Sequence, residues 1–251
     1  MLKRSIKFNI LALALASQLV PSVSAQEAFS TSSNKTFYES FIADRLHIGT
    51  RILAFSLLES QRGDKREGKF PRESFLGSLT NLEEEQNYAP IYFFLQYDIY
   101  PWWGFGISYD RREIRTDDWK SNDGGQGGDG NFISSGPILY TSLQYHNESR
   151  YTPYGEIGFA LYSNKFEPLA SWSEGGIRQF VVEDDVGFYL AGGVTIEIIK
   201  HLSLDLHLRY VNSGIKTEYY FMDIERQRRP QEVSTFPIDY IGYGIGIKAT
   251  F

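Results

Sequence analysis

Residues 236–251 constrain the fold more than any other stretch. Counting back in twos from Phe251 gives Ala249, Ile247, Ile245, Tyr243 and Ile241, while the residues between them are Thr250, Lys248, Gly246, Gly244 and Gly242. Side chains alternate across a β-strand, so this is a ribbon with one apolar side and one small or polar side. A run of such ribbons closes naturally into a ring, with the apolar side either buried inside or turned outward to lipid.

The same period of two recurs along the chain. Leu46, Ile48, Thr50, Ile52 and Ala54 oppose His47, Gly49 and Arg51, although Leu53 and Phe55 blur the upper end. Ala89, Ile91, Phe93, Leu95, Tyr97 and Ile99 oppose Tyr92, Phe94, Gln96 and Asp98. In the third stretch Trp103, Phe105, Ile107 and Tyr109 oppose Gly104, Gly106, Ser108, Asp110 and Arg112. Leu139, Thr141, Leu143 and Tyr145 oppose Tyr140, Ser142 and Gln144, and Ile157, Phe159 and Leu161 oppose Tyr154, Glu156, Gly158 and Ala160. The sixth stretch sets Val186, Phe188, Leu190, Val194 and Ile196 against Asp185, Gly187, Tyr189, Ala191, Gly193, Thr195 and Glu197. The seventh sets Leu202, Leu204, Leu206, Leu208 and Tyr210 against Ser203, Asp205, His207 and Arg209. Pairing outward Ile198 with Leu202 predicts a three-residue loop of Ile199, Lys200 and His201, and places Glu197 opposite Ser203, Thr195 opposite Asp205 and Gly193 opposite His207.

The eight predicted strands are joined long-short-long-short-long-short-long. Long connections cover residues 59–87, 115–131, 167–183 and 212–235; the short ones lie at Pro101 and Trp102, at 146–152 and at 199–201. Outer-membrane barrels combine an even strand number with short periplasmic turns and long extracellular loops. Each stretch also reaches the length a tilted spanning strand needs. Closing the ring pairs every backbone group, as lipid requires. Tyr97, Trp102, Trp103, Tyr145, Tyr151 and Phe251 all fall at the short-turn end, where an interfacial aromatic girdle belongs.

The amino terminus fits export. Lys3, Arg4 and Lys7 precede an apolar stretch at 8–19, followed by Val23, Ser24 and Ala25, the pattern of a cleaved signal peptide over residues 1–25. Residues 26–44 are expected to form a periplasmic lead-in and 45–251 the barrel. Removing the signal leaves 22 basic against 31 acidic residues, a shift from −6 to −9, which disfavours nucleic acid as a partner. With no cysteine, neither a disulfide framework nor a lipid-modified cysteine is available.

These features, together with the strand ending in Tyr243, Ile245, Ile247 and Phe251, resemble the small eight-stranded outer-membrane barrels of the OmpA/OmpW-like group. The resemblance covers about residues 46–251, with Ala249 where an aromatic residue is usual. It implies an all-β, antiparallel, up-and-down barrel in the bacterial outer membrane. The implied surroundings are membrane lipid and lipopolysaccharide, with the last strand read by the barrel-insertion machinery. The competing reading is a soluble, secreted β-barrel or sandwich with the apolar face inside.

An eight-strand barrel is just wide enough for its own side chains. Inward charges must therefore pair or hold water. The expected lumen network is Arg51, Glu156, Glu197, Asp205, His207, Arg209 and Lys248, with Glu156, Glu197 and Lys248 nearest the short-turn end. Inward Gly104, Gly106, Gly158, Gly187, Gly193, Gly242, Gly244 and Gly246 leave room for water cavities, though not for a continuous wide pore. The network is read as structural, with a charged gate for small solutes as the alternative.

Some barrels of this group act on lipid A with a His and a Ser near the outer leaflet. Here His47, His146 and His201 map to the short-turn end and His207 to the lower or middle lumen, so no such pair can be assembled and no enzyme activity is expected. Gly124, Gly125, Gln126, Gly127, Gly128 and Asp129 match the start of a calcium nonapeptide, but Asn131 replaces the required apolar residue. No other cluster has metal-ligand spacing, and no cofactor is expected. The primary expectation is a barrel without a wide pore that presents its long loops to a surface partner. The alternative is a narrow, OmpW-like channel for small or hydrophobic solutes, with Pro137 and Pro237 as candidate gaps in strand pairing.

Overall fold

The computed structural model describes residues 37–58, 81–84, 91–117, 130–173, 177–222 and 228–251. The expected signal peptide at 1–25 and the glycine-rich segment at 124–129 lie outside the described residues, as does most of the predicted long connection at 59–87. A short helix, α1 (Phe37–Phe41), is followed by β1 (Leu46–Leu57), β2 (Asn81–Glu84), β3 (Ile91–Tyr100), β4 (Trp103–Asp117) and β5 (Gly130–Gln144). Then come β6 (Tyr151–Pro168), α2 (Ala170–Ser173), β7 (Arg178–Val182), β8 (Asp185–Ile199), β9 (Leu202–Asn212), β10 (Gly214–Met222), β11 (Arg228–Pro237) and β12 (Tyr240–Thr250).

Eight of these strands form a closed antiparallel ring in the order β1, β3, β4, β5, β6, β8, β9, β12. The seam is the β1–β12 ladder, which runs from His47 opposite Thr250 to Leu57 opposite Tyr240. β12 pairs on its other side with β9. β2 lies beside the far end of β4, in the place β3 would occupy if prolonged.

The β8–β9 hairpin has the predicted alignment, with Gly193 opposite His207, Thr195 opposite Asp205 and Glu197 opposite Ser203. Its turn differs from expectation. The register shifts between Glu197 and Ile199, Ile199 pairs with Leu202, and only Lys200 and His201 form the turn. The bulge absorbs the odd residue that a three-residue loop would have held, and His201 takes a positive φ of 67°.

Parts of all four predicted long loops are strand instead, and the last two contribute a sheet of their own. β7, β10 and β11 form a separate three-stranded sheet. Each runs into a barrel strand after a break of one or two residues: Glu183 and Asp184, Ser213, and Ile238 and Asp239. Side chains satisfy backbone groups at these breaks. Asp185 Oδ2 accepts from the Gly214 amide (2.9 Å) and Ser213 Oγ (2.9 Å), Asp239 Oδ1 accepts from the Ser213 amide (2.9 Å), and Asp184 Oδ1 accepts from the Asn164 amide (3.1 Å). Asn164 Nδ2 donates to the Glu183 carbonyl (3.0 Å), so Asn164 holds the bend through both its backbone amide and its side chain.

The apolar face is the outer one. Phe93 (68 %), Phe159 and Leu208 are exposed on the wall, whereas Asp110, Arg112 and Asp205 are fully buried inside. A continuous apolar wall around a charged interior is the inverse of a soluble barrel. The belt ends where outward positions turn polar, at Arg111, Ser163, Asn212 and Asp239. The 11 residues of β12 rise roughly 3.3 Å each and, tilted about 45°, cover about 25 Å of bilayer. At the short-turn end Tyr100, Trp102 and Trp103 stack in sequence, and Trp103 Nε1 donates to Thr141 Oγ1 (2.7 Å). Tyr145, Tyr151 and Phe251 are exposed around the same rim.

Candidate functional site

The lumen is filled in tiers, and the tiers follow from which residues the alternation turns inward. Next to the short turns, His47 Nε2 lies 2.7 Å from Asp98 Oδ2 and His47 Nδ1 2.9 Å from Thr250 Oγ1. Gln96 and Gln144 each donate an amide N–H to Asp98 at 2.8 Å. The carboxylate therefore has three side-chain partners from three different strands.

The middle tier is centred on Arg51. Its Nε donates to Asp205 Oδ2 (2.5 Å), and its Nη2 reaches Tyr154 (3.3 Å) and Glu156 Oε1 (3.5 Å). Tyr154 donates its hydroxyl to Asp205 Oδ1 (2.7 Å), and Tyr189 donates to Glu156 Oε2 (2.5 Å). His207 stands between the two phenols, 3.0 Å from Tyr154 and 3.4 Å from Tyr189. The Arg51 guanidinium also lies over the Phe94 ring at 4.1 Å. That stacking depends on Gly49, where an added Cβ would sit 2.2 Å from Phe94.

The third tier is centred on Asp110, which is fully buried. It accepts from Arg209 Nη2 (2.7 Å), Tyr162 (2.6 Å) and Tyr240 (2.9 Å), with Arg112 Nε at 3.7 Å. Arg112 donates to the Ile238 carbonyl (3.0 Å) and lies over the Tyr162 and Tyr240 rings at 4.2 and 4.6 Å. Towards the long-loop end an apolar plug closes the stack. Ile114, Phe132, Ile215 and Ile238 are buried there, and Phe132 packs against Phe166 and Phe236 at centroid distances of 4.9 and 5.6 Å.

The members of the expected network fall into two networks, and two of them, Lys248 and Glu197, stand outside both. The structure brings Arg51, Glu156, Asp205 and His207 together, with Glu156 beside Arg51 in mid-barrel and not near the short-turn end. Arg209 joins Asp110 in the next tier. Lys248 is buried but makes no ion pair among the described residues. Glu197 is exposed at the mouth, outside either network, because it lies at the β8 bulge. Asp110 and Arg112 and the phenols of Tyr154, Tyr162, Tyr189 and Tyr240 were missing from the expected set. The inward parity of Asp110, Arg112, Tyr154 and Tyr189 was readable; that the phenols would bind the carboxylates within each tier was not.

The inward glycines do not leave water cavities. Ideal Cβ atoms at Gly106, Gly193, Gly244 and Gly246 would meet Tyr140, Tyr154, Leu53 and Arg51 side chains at 2.2, 2.5, 2.4 and 2.8 Å. Behind Lys248, bordered by Arg51, Gln96 and Glu156, only about 10 Å³ is open. A vestibule of about 480 Å³ opens at the short-turn mouth. Among the described residues the buried Arg and Lys side chains match the buried carboxylates in number: Arg51, Arg112, Arg209 and Lys248 against Asp98, Asp110, Glu156 and Asp205. On the extension, exposed Lys216 donates to Glu183, which holds its ammonium pKa above the usual value.

The wall at Pro137 has the predicted interruption. Between Ser135–Ser163 and Ile138–Ala160 the β5–β6 ladder lacks its pairs at Gly136 and Pro137. The strands remain close, because a Cβ on Gly136 would fall 1.8 Å from the Leu161 carbonyl oxygen. Pro237 ends β11 opposite Gly214, outside the ring.

No protein-family model and no curated protein matches the chain. Solved structures do. The outer-membrane protein OprG of Pseudomonas aeruginosa aligns over 84 % of this chain and 99 % of its own, with TM-score 0.58 and 15 % identity. AlkL, solved in lipid bilayers, aligns over 90 % of this chain and 96 % of its own, with TM-score 0.56 and 14 % identity. The fold is that of the small outer-membrane β-barrels. At such identity the likeness speaks for the architecture alone, so the chemistry of the lumen has to be read from this chain's own residues.

Proposed function

We propose that the chain is a bacterial outer-membrane barrel without a through-passage, which anchors its long-loop end as a surface for a partner. The carrying observation is the filled lumen. Two ion clusters and an apolar plug lie in series, and the charges inside serve to hold the wall together. The short turns face the periplasm on this reading, in keeping with the general pattern of such barrels. Outer-leaflet lipid and lipopolysaccharide surround the belt, and β12 is the strand offered to the barrel-insertion machinery.

The three-stranded extension supports the surface role, because it prolongs the wall past the polar end of the belt as ordered sheet. A narrow channel with lateral exit is the second reading, favoured by the interrupted ladder at Gly136 and Pro137. The close approach of Gly136 to Leu161 opposes it. Planar-bilayer recording of the refolded protein decides between them. The proposal expects no unitary steps from the native protein, Asp205→Ala or Arg209→Ala. Reproducible steps from the native protein, altered by either substitution, would establish the channel.

A further inference from the structure

The four buried lumen cations are not equivalent. Arg51 is held by Asp205 and Glu156, and Arg112 and Arg209 share Asp110. Lys248 is 8 % exposed and has no carboxylate within 4.0 Å among the described residues. Asp205 and Asp98 act on it from farther away. Both are already engaged, Asp205 by Arg51 and Tyr154 and Asp98 by His47, Gln96 and Gln144. An ammonium has three N–H donors and no acceptor of its own, and a buried cation without a partner is unfavourable.

Lys248 lies between the closed lumen and the vestibule and borders both. The vestibule opens at the short-turn end, and Arg45, Arg150 and Lys200 stand exposed at its mouth with Asp44 and Glu197. Thr195, Ser203 and Thr250 add hydroxyls to its lining. Its volume of about 480 Å³ falls within the range of small-molecule pockets. A buried, unpaired cation at the inner end of an open cavity with a mixed charged rim is a site for an anionic group.

We infer that the vestibule binds a small solute bearing a carboxylate or a phosphate, with the Lys248 ammonium contacting the anionic group and the mouth arginines attracting it. The solute enters from the compartment the short turns face and goes no further, because the Arg51 tier closes the lumen behind Lys248. Lys248 is the specificity-determining contact; Lys200 lies at the rim and contributes through its field. The inference holds whether or not the long loops carry a partner.

The test is a titration of the full refolded barrel in detergent micelles with succinate and, separately, inorganic phosphate, at constant ionic strength made up with chloride. Amide chemical shifts report the binding. Saturable shifts confined to His47, Thr195 and Thr250, absent near Asp110, are the expected result for at least one probe; which probe saturates distinguishes carboxylate from phosphate. Lys248→Met, which keeps the stem and removes the charge, should weaken that binding by about tenfold or more. Lys200→Gln should change it by less than about threefold. Retained heat-modifiable gel mobility shows that each variant is folded. Shifts that do not saturate, that spread over the barrel or that persist unchanged in Lys248→Met would overturn the inference. If Lys248→Met does not fold, the localisation and saturation in the native protein decide alone.

Discussion

Replacing Asp110 by asparagine removes the one carboxylate that holds the outer ion tier together. Asp110 is fully buried and accepts three hydrogen bonds, from Arg209 at 2.7 Å, Tyr162 at 2.6 Å and Tyr240 at 2.9 Å. A hydrogen bond to a buried charged group contributes roughly 1.5–3 kcal/mol. Asparagine keeps one oxygen acceptor but points an N–H at a former donor, so at least one of the three is lost. Arg112 and Arg209 are then left inside the wall as like charges with no counterion. Removing one partner of a buried ion pair costs about 3–5 kcal/mol, and that is the expected loss. Urea unfolding of the protein refolded into lipid vesicles, followed by tryptophan fluorescence, measures it. Adding Arg209→Met should recover part of the loss, with a coupling of about 1–3 kcal/mol between the two sites. A loss below about 1 kcal/mol for Asp110→Asn, or strict additivity with Arg209→Met, would refute the tiered-charge account.

Other substitutions probe separate parts of the lumen. Glu156→Gln should destabilise by about 3 kcal/mol by leaving Arg51 with Asp205 alone, whereas Glu197→Gln, exposed at the mouth, should stay within about 0.5 kcal/mol in the same assay. Phe132→Ala should cost about 3–5 kcal/mol and yet produce no conductance in planar bilayers, because the Asp110 tier lies beneath the plug. Gly136→Ala, which sets a Cβ against the Leu161 carbonyl, should cost about 2 kcal/mol or more; a neutral effect in thermal unfolding would show that β5 and β6 can part there.

The ring itself was legible because period-two alternation fixes the face of every side chain. The β12 pattern from Ile241 to Phe251 and the β9 pattern from Leu202 to Tyr210 translate directly into wall and lumen. Connection lengths then supplied the up-and-down topology. Less could be read where two physical demands compete. Leu53 and Phe55 seemed to break the alternation of β1, but they continue it; both are buried inside, and Phe55 packs edge-on against Tyr240 of the Asp110 tier. Ile215, Thr217 and Tyr219 alternate with Lys216, Glu218 and Tyr220 in the same way, yet the polar residues around Ser213 disguised the strand as a loop. The bend is held by Asp185 and Asp239 from distant positions, which spacing alone does not reveal. Division of the charges into tiers was hidden for a similar reason. Parity places Arg51 and Arg209 on one face, but strand tilt and long side chains decide that one meets Asp205 and the other Asp110.

On the proposed reading the apolar face looks outward into lipid and the charged face inward. The chain has no cysteine, so single substitutions can be labelled without background. Nitroxides attached at Leu206→Cys, Leu208→Cys, Ile245→Cys and Ile247→Cys, compared with Ser142→Cys and Thr195→Cys, test it directly in refolded vesicles. Strong collision with lipid-dissolved oxygen is expected at the first four positions and little at the last two. Equal oxygen access on both faces, or oxygen access at Ser142 and Thr195 alone, would contradict it.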